Sequence, residues 1–137
     1  MIVASKSKIL VVDDELPVCK SIAGALASDE YSVDTAQSGE QALEMQEKNG
    51  YEAIVADLMM PGISGMELLK KVKVRWPDTM MIMITGYPSI RTAVEAVKMG
   101  AFDYLPKPFT PNDLRSIVSR ALKRKTVVEQ EEDQSTA

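Results

Sequence analysis

The stretch AIVADLMMPG, residues 53–62, places an acid, Asp57, at the end of four consecutive apolar residues. A short apolar run ahead of a Pro-Gly turn is typical of a strand that is buried on both faces, as in a parallel sheet. In open α/β sheets, ligands bind in the crevice outside the carboxyl ends of the strands. Asp57 is therefore a candidate site residue, although an Asp at this place can equally cap a turn through its own backbone.

Four more segments are predicted as strands: an apolar run at 9–12, an alternating, edge-like segment at 31–36, an apolar run at 80–84 and the segment 102–105. The first of these ends in Asp13 and Asp14, and the third ends in Thr85. The last runs into Lys107, which stands between two prolines that hold the backbone extended. Together with Asp57, these side chains are expected to share one crevice at the carboxyl edge of the sheet.

Each predicted strand is followed by a predicted amphipathic helix. The helix starts carry capping or first-turn residues: Pro17, Ser38, Ser64, Ser89 and Thr110. Five successive βα units with right-handed crossovers predict a single doubly wound α/β domain with a five-stranded parallel sheet and five helices. We expect this domain to span residues 8–124, after a loose lead-in at 1–7 and before a frayed or disordered acidic tail or linker at 125–137.

Composition narrows the classes of function. The chain has 137 residues, 45% of them apolar, and a net charge of −4, which argues against a nucleic-acid or membrane surface and favours protein partners. It has no His, which excludes Ser-His-Asp and zinc-His chemistry as well as a phosphohistidine made on this chain. The single Cys19 has no disulfide partner, and no apolar run is long enough to span a bilayer. We expect a cytoplasmic protein.

A cation is expected at the acidic crevice. Two like charges ~4 Å apart repel by ~4 kcal/mol at an effective dielectric constant near 20, so clustered carboxylates of Asp13, Asp14 and Asp57 imply a neutralising ion. Oxygen ligands without His or Cys indicate a hard ion, and Mg²⁺ suits a site that keeps waters and meets a phosphate.

The segments VVDDE (11–15), DLMMPG (57–62), TG (85–86) and YLPKPF (104–109) resemble, in order and spacing, the receiver domain of two-component response regulators. The resemblance covers the chain from about Lys8 to Arg124. It implies a sheet with strand order 2-1-3-4-5.

The same resemblance implies the roles of the site residues. Asp57 is then the phosphoryl acceptor, and Asp14 and Asp57 bind Mg²⁺ with the backbone carbonyl of Met59, while Asp13 helps through water. The cation and Lys107 neutralise the phosphoryl oxygens. As the family's switch, Thr85 bonds a phosphoryl oxygen and Tyr104 turns inward behind it.

The implied donor is the phosphohistidine of a sensor histidine kinase or phosphotransfer protein, or a small acyl phosphate. The implied output face is the fourth helix, fifth strand and fifth helix, which controls a transcriptional effector and is also a candidate for homodimer contacts. Such a domain catalyses its own phosphorylation and dephosphorylation as a signalling switch rather than as a turnover enzyme. Residues 100–109 look more like receivers attached to sigma54-dependent ATPase activators than like those of winged-helix regulators, which usually carry an acid in place of Phe102 and an arginine in place of Ile117.

Three alternative classes of protein fit the sequence less well. A phosphohydrolase of the haloacid dehalogenase type needs two aspartates separated by one residue after the first strand, whereas Asp13, Asp14 and Glu15 are consecutive, and no segment could form a cap domain. A nucleotide-binding domain needs a glycine-rich phosphate loop, and neither usual pattern occurs. A receiver-shaped module that no longer accepts phosphate would be indicated by the loss of Asp57 or Lys107, and both are present.

Overall fold

Strands and helices alternate along the chain. The computed structural model describes residues 6–135, and over 125–135 it describes the course of the backbone alone. The elements are β1 (Ser7–Val12), α1 (Leu16–Leu26), β2 (Tyr31–Ala36), α2 (Gly39–Asn49), β3 (Ala53–Asp57), α3 (Gly65–Arg75), β4 (Met80–Thr85), α4 (Ile90–Lys98), β5 (Asp103–Pro106) and α5 (Pro111–Ser135). All neighbouring strands are parallel, in the order β2-β1-β3-β4-β5. The predicted fold class and strand order are confirmed.

The three central strands, β1, β3 and β4, are buried on both faces of the sheet. In β3, Ile54 and Ala56 belong to an apolar cluster that includes residues of α2 and α3. Val55, which points to the other face, belongs to a second cluster with residues of α1 and α5. Burial on both faces explains why these strands are continuous apolar runs in the sequence.

Helix starts follow the predicted capping residues. Side-chain oxygens accept hydrogen bonds from the backbone N–H three residues on at Ser38, Ser64, Ser89 and Thr110. Only α1 differs: its N-cap is Glu15, and Pro17 lies in its first turn rather than at its first position. These caps fix where each helix begins, and therefore the length of the loops that carry the site residues.

The two ends of the chain depart from the sequence-based expectation. Residues 1–5 of the expected lead-in lie outside the described residues, and Ser7 already belongs to β1. At the other end, α5 does not stop near Arg124 but continues to Ser135. Glu, Gln, Lys and Arg have high intrinsic helix propensity, so a helix can continue where the apolar stripe ends. The domain boundary at 124 stays a prediction.

None of the described helices is long and apolar enough to cross a membrane.

Candidate functional site

Three strand ends bring two acids and a lysine together at the carboxyl edge of the sheet. Asp57 is the last residue of β3, Asp13 follows β1, and Lys107 follows β5. The Lys107 Nζ lies 2.8 Å from Asp57 Oδ2 and 3.4 Å from Asp13 Oδ2. The side chains of Asp57 and Asp13 are only 9% and 1% exposed, and that of Lys107 is 29% exposed. Two buried carboxylates therefore share one ammonium group, which leaves the trio with a net negative charge.

Backbone amides orient both carboxylates. The Met59 N–H donates to Asp57 Oδ1 at 2.9 Å, and the Glu15 N–H donates to Asp13 Oδ1 at 2.9 Å. Asp57 therefore does cap the turn that follows it, as the alternative interpretation proposed, through one of its two carboxylate oxygens. That interpretation is incomplete, because the other oxygen meets Lys107.

Burial acts in opposite directions on the pKa of Asp13 and the pKa of Lys107, although both pKa values are raised. Burial raises the pKa of Asp13. The hydrogen bond from the Glu15 N–H and the positive charge of Lys107 lower this pKa, whereas the hydrogen bond with Asp57 and its negative charge raise it further. Burial by itself would lower the pKa of Lys107, but hydrogen bonds to Asp57 and Asp13, together with their charges, outweigh it and raise that pKa. Lys107 is therefore firmly protonated at neutral pH.

Thr85 and Tyr104 lie on neighbouring strands, as predicted, but their hydroxyl groups have partners that the sequence did not reveal. The buried Thr85 Oγ1 accepts a hydrogen bond from the Tyr87 N–H at 3.0 Å. The hydroxyl of the half-buried Tyr104 accepts from the Ser89 N–H at 3.2 Å and lies 2.7 Å from Thr92 Oγ1. Tyr104 thus contacts the N-terminus of α4 directly.

The expected cluster of three carboxylates is not observed. Across the part of the chain that the structure describes, no three Asp, Glu, Cys or His side chains are grouped so that they could hold a metal ion by themselves. Asp13 is buried whereas Asp14, the next residue, is exposed. Met59, the other expected ligand residue, has an exposed side chain, and only its backbone carbonyl was expected to bind.

The donor set nevertheless suits Mg²⁺. This ion is commonly held by one or two carboxylates, keeps several waters and binds phosphate oxygens, so a cluster of three acids is not required. Asp13 and Asp57 offer buried carboxylate oxygens whose charge Lys107 only partly neutralises, and Asp14 is exposed beside them. Because Asp13, Asp57 and Lys107 together carry a net negative charge, a bound cation would be favourable at this site.

Close packing holds the residues around Asp57. Gly65, the first residue of α3, lies against the Asp57 carbonyl oxygen and the Leu58 Cα so closely that a Cβ there would overlap both. At Gly39, the first residue of α2, a Cβ would lie 2.9 Å from the Ile63 Cβ. Sequence reasoning missed both glycines. A capping serine followed at once by glycine, as at 38–39 and 64–65, was the signal that could have identified them.

In a parallel α/β domain the crevice outside the carboxyl ends of the strands is where ligands bind, so the buried carboxylates and the lysine at this edge define a candidate ligand site. The chain belongs to the response regulator receiver domain family, whose model matches residues 9–119. The family prediction is confirmed, and it decides against the phosphohydrolase and nucleotide-binding alternatives.

Relatives and solved structures agree with this assignment. The chain is 36% identical over 129 residues to the transcriptional regulatory protein ZraR of Escherichia coli O157:H7, covering 94% of this chain and 29% of that protein. It is 38% identical over 119 residues to the response regulator MprA of Mycobacterium sp. strain KMS, covering 87% and 51%. A receiver domain protein from Clostridium thermocellum has a TM-score of 0.84 at 35% identity, covering 89% of this chain and 98% of that chain. NtrX from Brucella abortus has a TM-score of 0.89 at 30% identity, covering 95% and 30%. The chain thus spans about half or less of the length of these curated relatives.

Proposed function

We propose that this receiver accepts a phosphoryl group on the carboxylate of Asp57. The observation that carries the proposal is the Lys107 ammonium, 2.8 Å from Asp57 Oδ2 in a largely buried crevice. A carboxylate is a weak nucleophile, so attack on phosphorus depends on position and on cations that neutralise the phosphoryl oxygens. Asp57 is held by the Met59 N–H on one oxygen, which fixes its orientation before a donor arrives.

The donor is the phosphohistidine of a sensor histidine kinase or phosphotransfer protein. A bond forms between an Asp57 oxygen and phosphorus, the bond between phosphorus and the imidazole nitrogen breaks, and the leaving nitrogen keeps that electron pair and takes up a proton. Lys107 then neutralises a phosphoryl oxygen in place of its present contact with Asp57. When bound, Mg²⁺ supplies further positive charge for the phosphoryl oxygens, and Asp13, Asp14, Asp57 and the Met59 carbonyl would hold it.

The response runs through Thr85 and Tyr104. Thr85 Oγ1 is an acceptor at present, and its own hydrogen can be donated to a phosphoryl oxygen at the same edge of the sheet. Inward rotation of Tyr104 would break its contacts with Ser89 and Thr92 and release the N-terminus of α4. The face made by α4, β5 and α5 would change shape as a result.

That face would control an effector, for which we propose a transcriptional regulator of the sigma54-dependent type. Exposed apolar side chains on α4, including Ile90 and Val97, give the face the character of a contact surface, on which a second copy of this chain could also dock. We also propose a cytoplasmic location, which suits a chain with one free, buried cysteine and a net charge of −4.

Mass spectrometry after incubation with acetyl phosphate tests the acceptor. Label is expected on Asp57 in the presence of Mg²⁺, and it should be lost in EDTA and in Asp57→Asn. Asp29→Asn, which changes an exposed aspartate on the α1–β2 loop, is the matched control and should be labelled like the wild type. Full labelling of Asp57→Asn would refute the assignment of the acceptor, and full labelling in EDTA would refute the role of the cation.

Thr85→Ala tests the switch separately from the acceptor. Labelling of Asp57 should persist, while the backbone amide shifts that phosphorylation produces over residues 93–117 should become smaller. If the wild-type shifts were confined to the loop after Asp57 and spared this region, the proposed route through Thr85 and Tyr104 would be wrong.

A further inference from the structure

The loop that follows Asp57 is held at its far end by the start of α2. The carboxylate of Glu40 accepts a hydrogen bond from the Ile63 N–H, with 3.1 Å between Oε1 and the amide nitrogen. Next to it, Gly39 is so close to Ile63 that a Cβ at that position would lie 3.1 Å from the Ile63 carbonyl oxygen. The first turn of α2 therefore contacts the loop through both backbone and side chain.

The Glu40 carboxylate also covers Gly62. Gly62 has φ of +74°, a left-handed conformation that glycine adopts without strain. A Cβ at Gly62 would lie 2.9 Å from Glu40 Oε1, so the carboxylate occupies the space that any side chain there would need. The absence of a side chain at Gly62 therefore leaves the space that the Glu40 carboxylate fills.

The near end of the same loop is fixed to the acceptor. The Met59 N–H donates to Asp57 Oδ1 at 2.9 Å, and the Gly65 N–H closes the loop by donating to the Leu58 carbonyl at 3.0 Å. Between these two points and Glu40, the segment 58–64 has little freedom to move as a unit. Met59 and Ile63 lie four residues apart within this closed loop, so a displacement of Ile63 can be transmitted through the backbone to Met59.

We propose that Glu40 is a positioning residue for phosphoryl transfer, which sets the loop 58–64 and through it the Met59 backbone beside Asp57. This inference rests on the proposed function. Glu40 also lies in the first turn of α2, where any negative charge stabilises a helix. The positioning role needs the hydrogen-bond acceptor, whereas the helix effect needs only the charge, and this difference separates the two.

Two substitutions of Glu40 and one control distinguish these roles. Glu40→Ala removes both the acceptor and the charge, whereas Glu40→Gln keeps a carbonyl acceptor and removes the charge. Glu44→Ala removes another acid of α2, one turn further along the helix, which pairs with Lys48 on the exposed surface. The initial rate of labelling by acetyl phosphate is measured for each protein over a range of Mg²⁺ concentrations, since the Met59 carbonyl is a proposed ligand.

For Glu40→Ala we expect the Mg²⁺ concentration at half-maximal rate to rise roughly three- to tenfold, the range that one exposed hydrogen bond supports. Glu40→Gln and Glu44→Ala should stay within about twofold of the wild type, since the acceptor at Ile63 persists in both. Equal impairment of Glu40→Ala and Glu40→Gln would assign the effect to the charge of Glu40. If neither variant were impaired, Glu40 would have no role in phosphoryl transfer. Both results overturn the inference.

Hydrogen exchange of the Ile63 amide, measured on the unphosphorylated protein, examines the contact itself. Exchange should be faster in Glu40→Ala and unchanged in Glu40→Gln and Glu44→Ala. Unchanged exchange in Glu40→Ala would show that Glu40 does not hold the loop and would overturn the inference, while leaving the proposed function standing. A wild type that takes up no label would instead overturn the proposed function, and with it the consequence of Glu40 for phosphoryl transfer.

Discussion

Replacing Lys107 with methionine removes the one ammonium that two buried carboxylates share, while keeping a side chain of similar length. Lys107 Nζ lies 2.8 Å from Asp57 Oδ2 and 3.4 Å from Asp13 Oδ2. In Lys107→Met, both carboxylates stay buried and face each other without a cation. The free energy of unfolding should therefore fall.

The size of the loss follows from the distances and the burial. At an effective dielectric constant of about 20, the two contacts correspond to about 6 and about 5 kcal/mol of Coulomb energy, and most of this is cancelled by desolvation of the three groups. Breaking a buried pair by removing one partner destabilises by about 3–5 kcal/mol. Lys107 is 29% exposed, and either acid can take up a proton in the variant, so we expect a loss of about 2–3 kcal/mol. Because the pKa of Lys107 is raised, its contribution is fully present at pH 7 and disappears only at higher pH, as the lysine loses its proton.

Urea unfolding at pH 7 without Mg²⁺ measures this loss. Lys48→Met is the matched control, since Lys48 pairs with Glu44 at 3.0 Å but both side chains are about two-thirds exposed, and it should change stability by about 0.5 kcal/mol or less. Adding Asp57→Asn to Lys107→Met should recover at least about 1 kcal/mol, because one of the two facing charges is gone. A loss no larger than that of Lys48→Met, or a further loss on adding Asp57→Asn, would refute the reasoning.

Three further predictions concern the switch, the sheet and the lifetime of the signal. Thr92→Val removes the hydroxyl beside the Tyr104 OH, so stability should fall by about 0.5–1.5 kcal/mol and the Tyr104 ring resonances should shift toward their phosphorylated positions, as NMR can show. Burial, and then the neighbouring carboxylate of Asp34, raise the pKa of Tyr51 to about 12. The wild type should therefore lose stability as the pH rises from about 10 to about 12, and urea unfolding of Tyr51→Phe should show a smaller loss over the same range. Neither Met59 nor Tyr87 offers an amide or carboxylate to orient an attacking water, so Met59→Asn combined with Tyr87→Ala should shorten the lifetime of the phosphorylated protein, and equal or slower decay would show that they do not guard the water.

The strands, the helices and the position of the site at the carboxyl edge of the sheet could be predicted from the sequence because they depend on local patterns. The run Ile9–Val12 is short, rich in β-branched residues and without a polar residue, which favours a strand buried on both faces, and its length and lack of polar residues favour the same structure for Met80–Ile84. Once alternating βα units imply a parallel sheet, Asp57 and Lys107 must meet at one edge, and the contact at 2.8 Å agrees with this. The strand order, by contrast, came from family resemblance, since the pattern alone does not decide which strands pair.

The directions of side chains and the contacts between distant residues could not be predicted from the sequence. Asp13 and Asp14 are chemically identical neighbours, and only the exact end of β1 decides which of them is buried against Lys107. The contact between Glu40 and Ile63 joins residues 23 positions apart, one in the first turn of α2 and the other on the loop after β3, and no periodicity predicts it. The partners of Tyr104 depend on where the first turn of α4 lies relative to β5, which is a property of packing rather than of local sequence.

The sheet register places the two proposed switch residues, Thr85 and Tyr104, on one face of the sheet. Tyr104 pairs with Met83, two residues before Thr85 on β4, so Tyr104 and Thr85 lie on the same face of the sheet. The Tyr104 hydroxyl has two contacts with the start of α4, each stabilising by about 1 kcal/mol. Moving a two-state equilibrium from 1:99 to 99:1 requires about 5.5 kcal/mol, and loss of these contacts opposes the change rather than driving it. In the proposed mechanism the phosphoryl group supplies the free energy through charge-assisted bonds to Lys107 and a bond to Thr85, so the strong interactions lie at the acceptor and only weak neutral hydrogen bonds lie at the output.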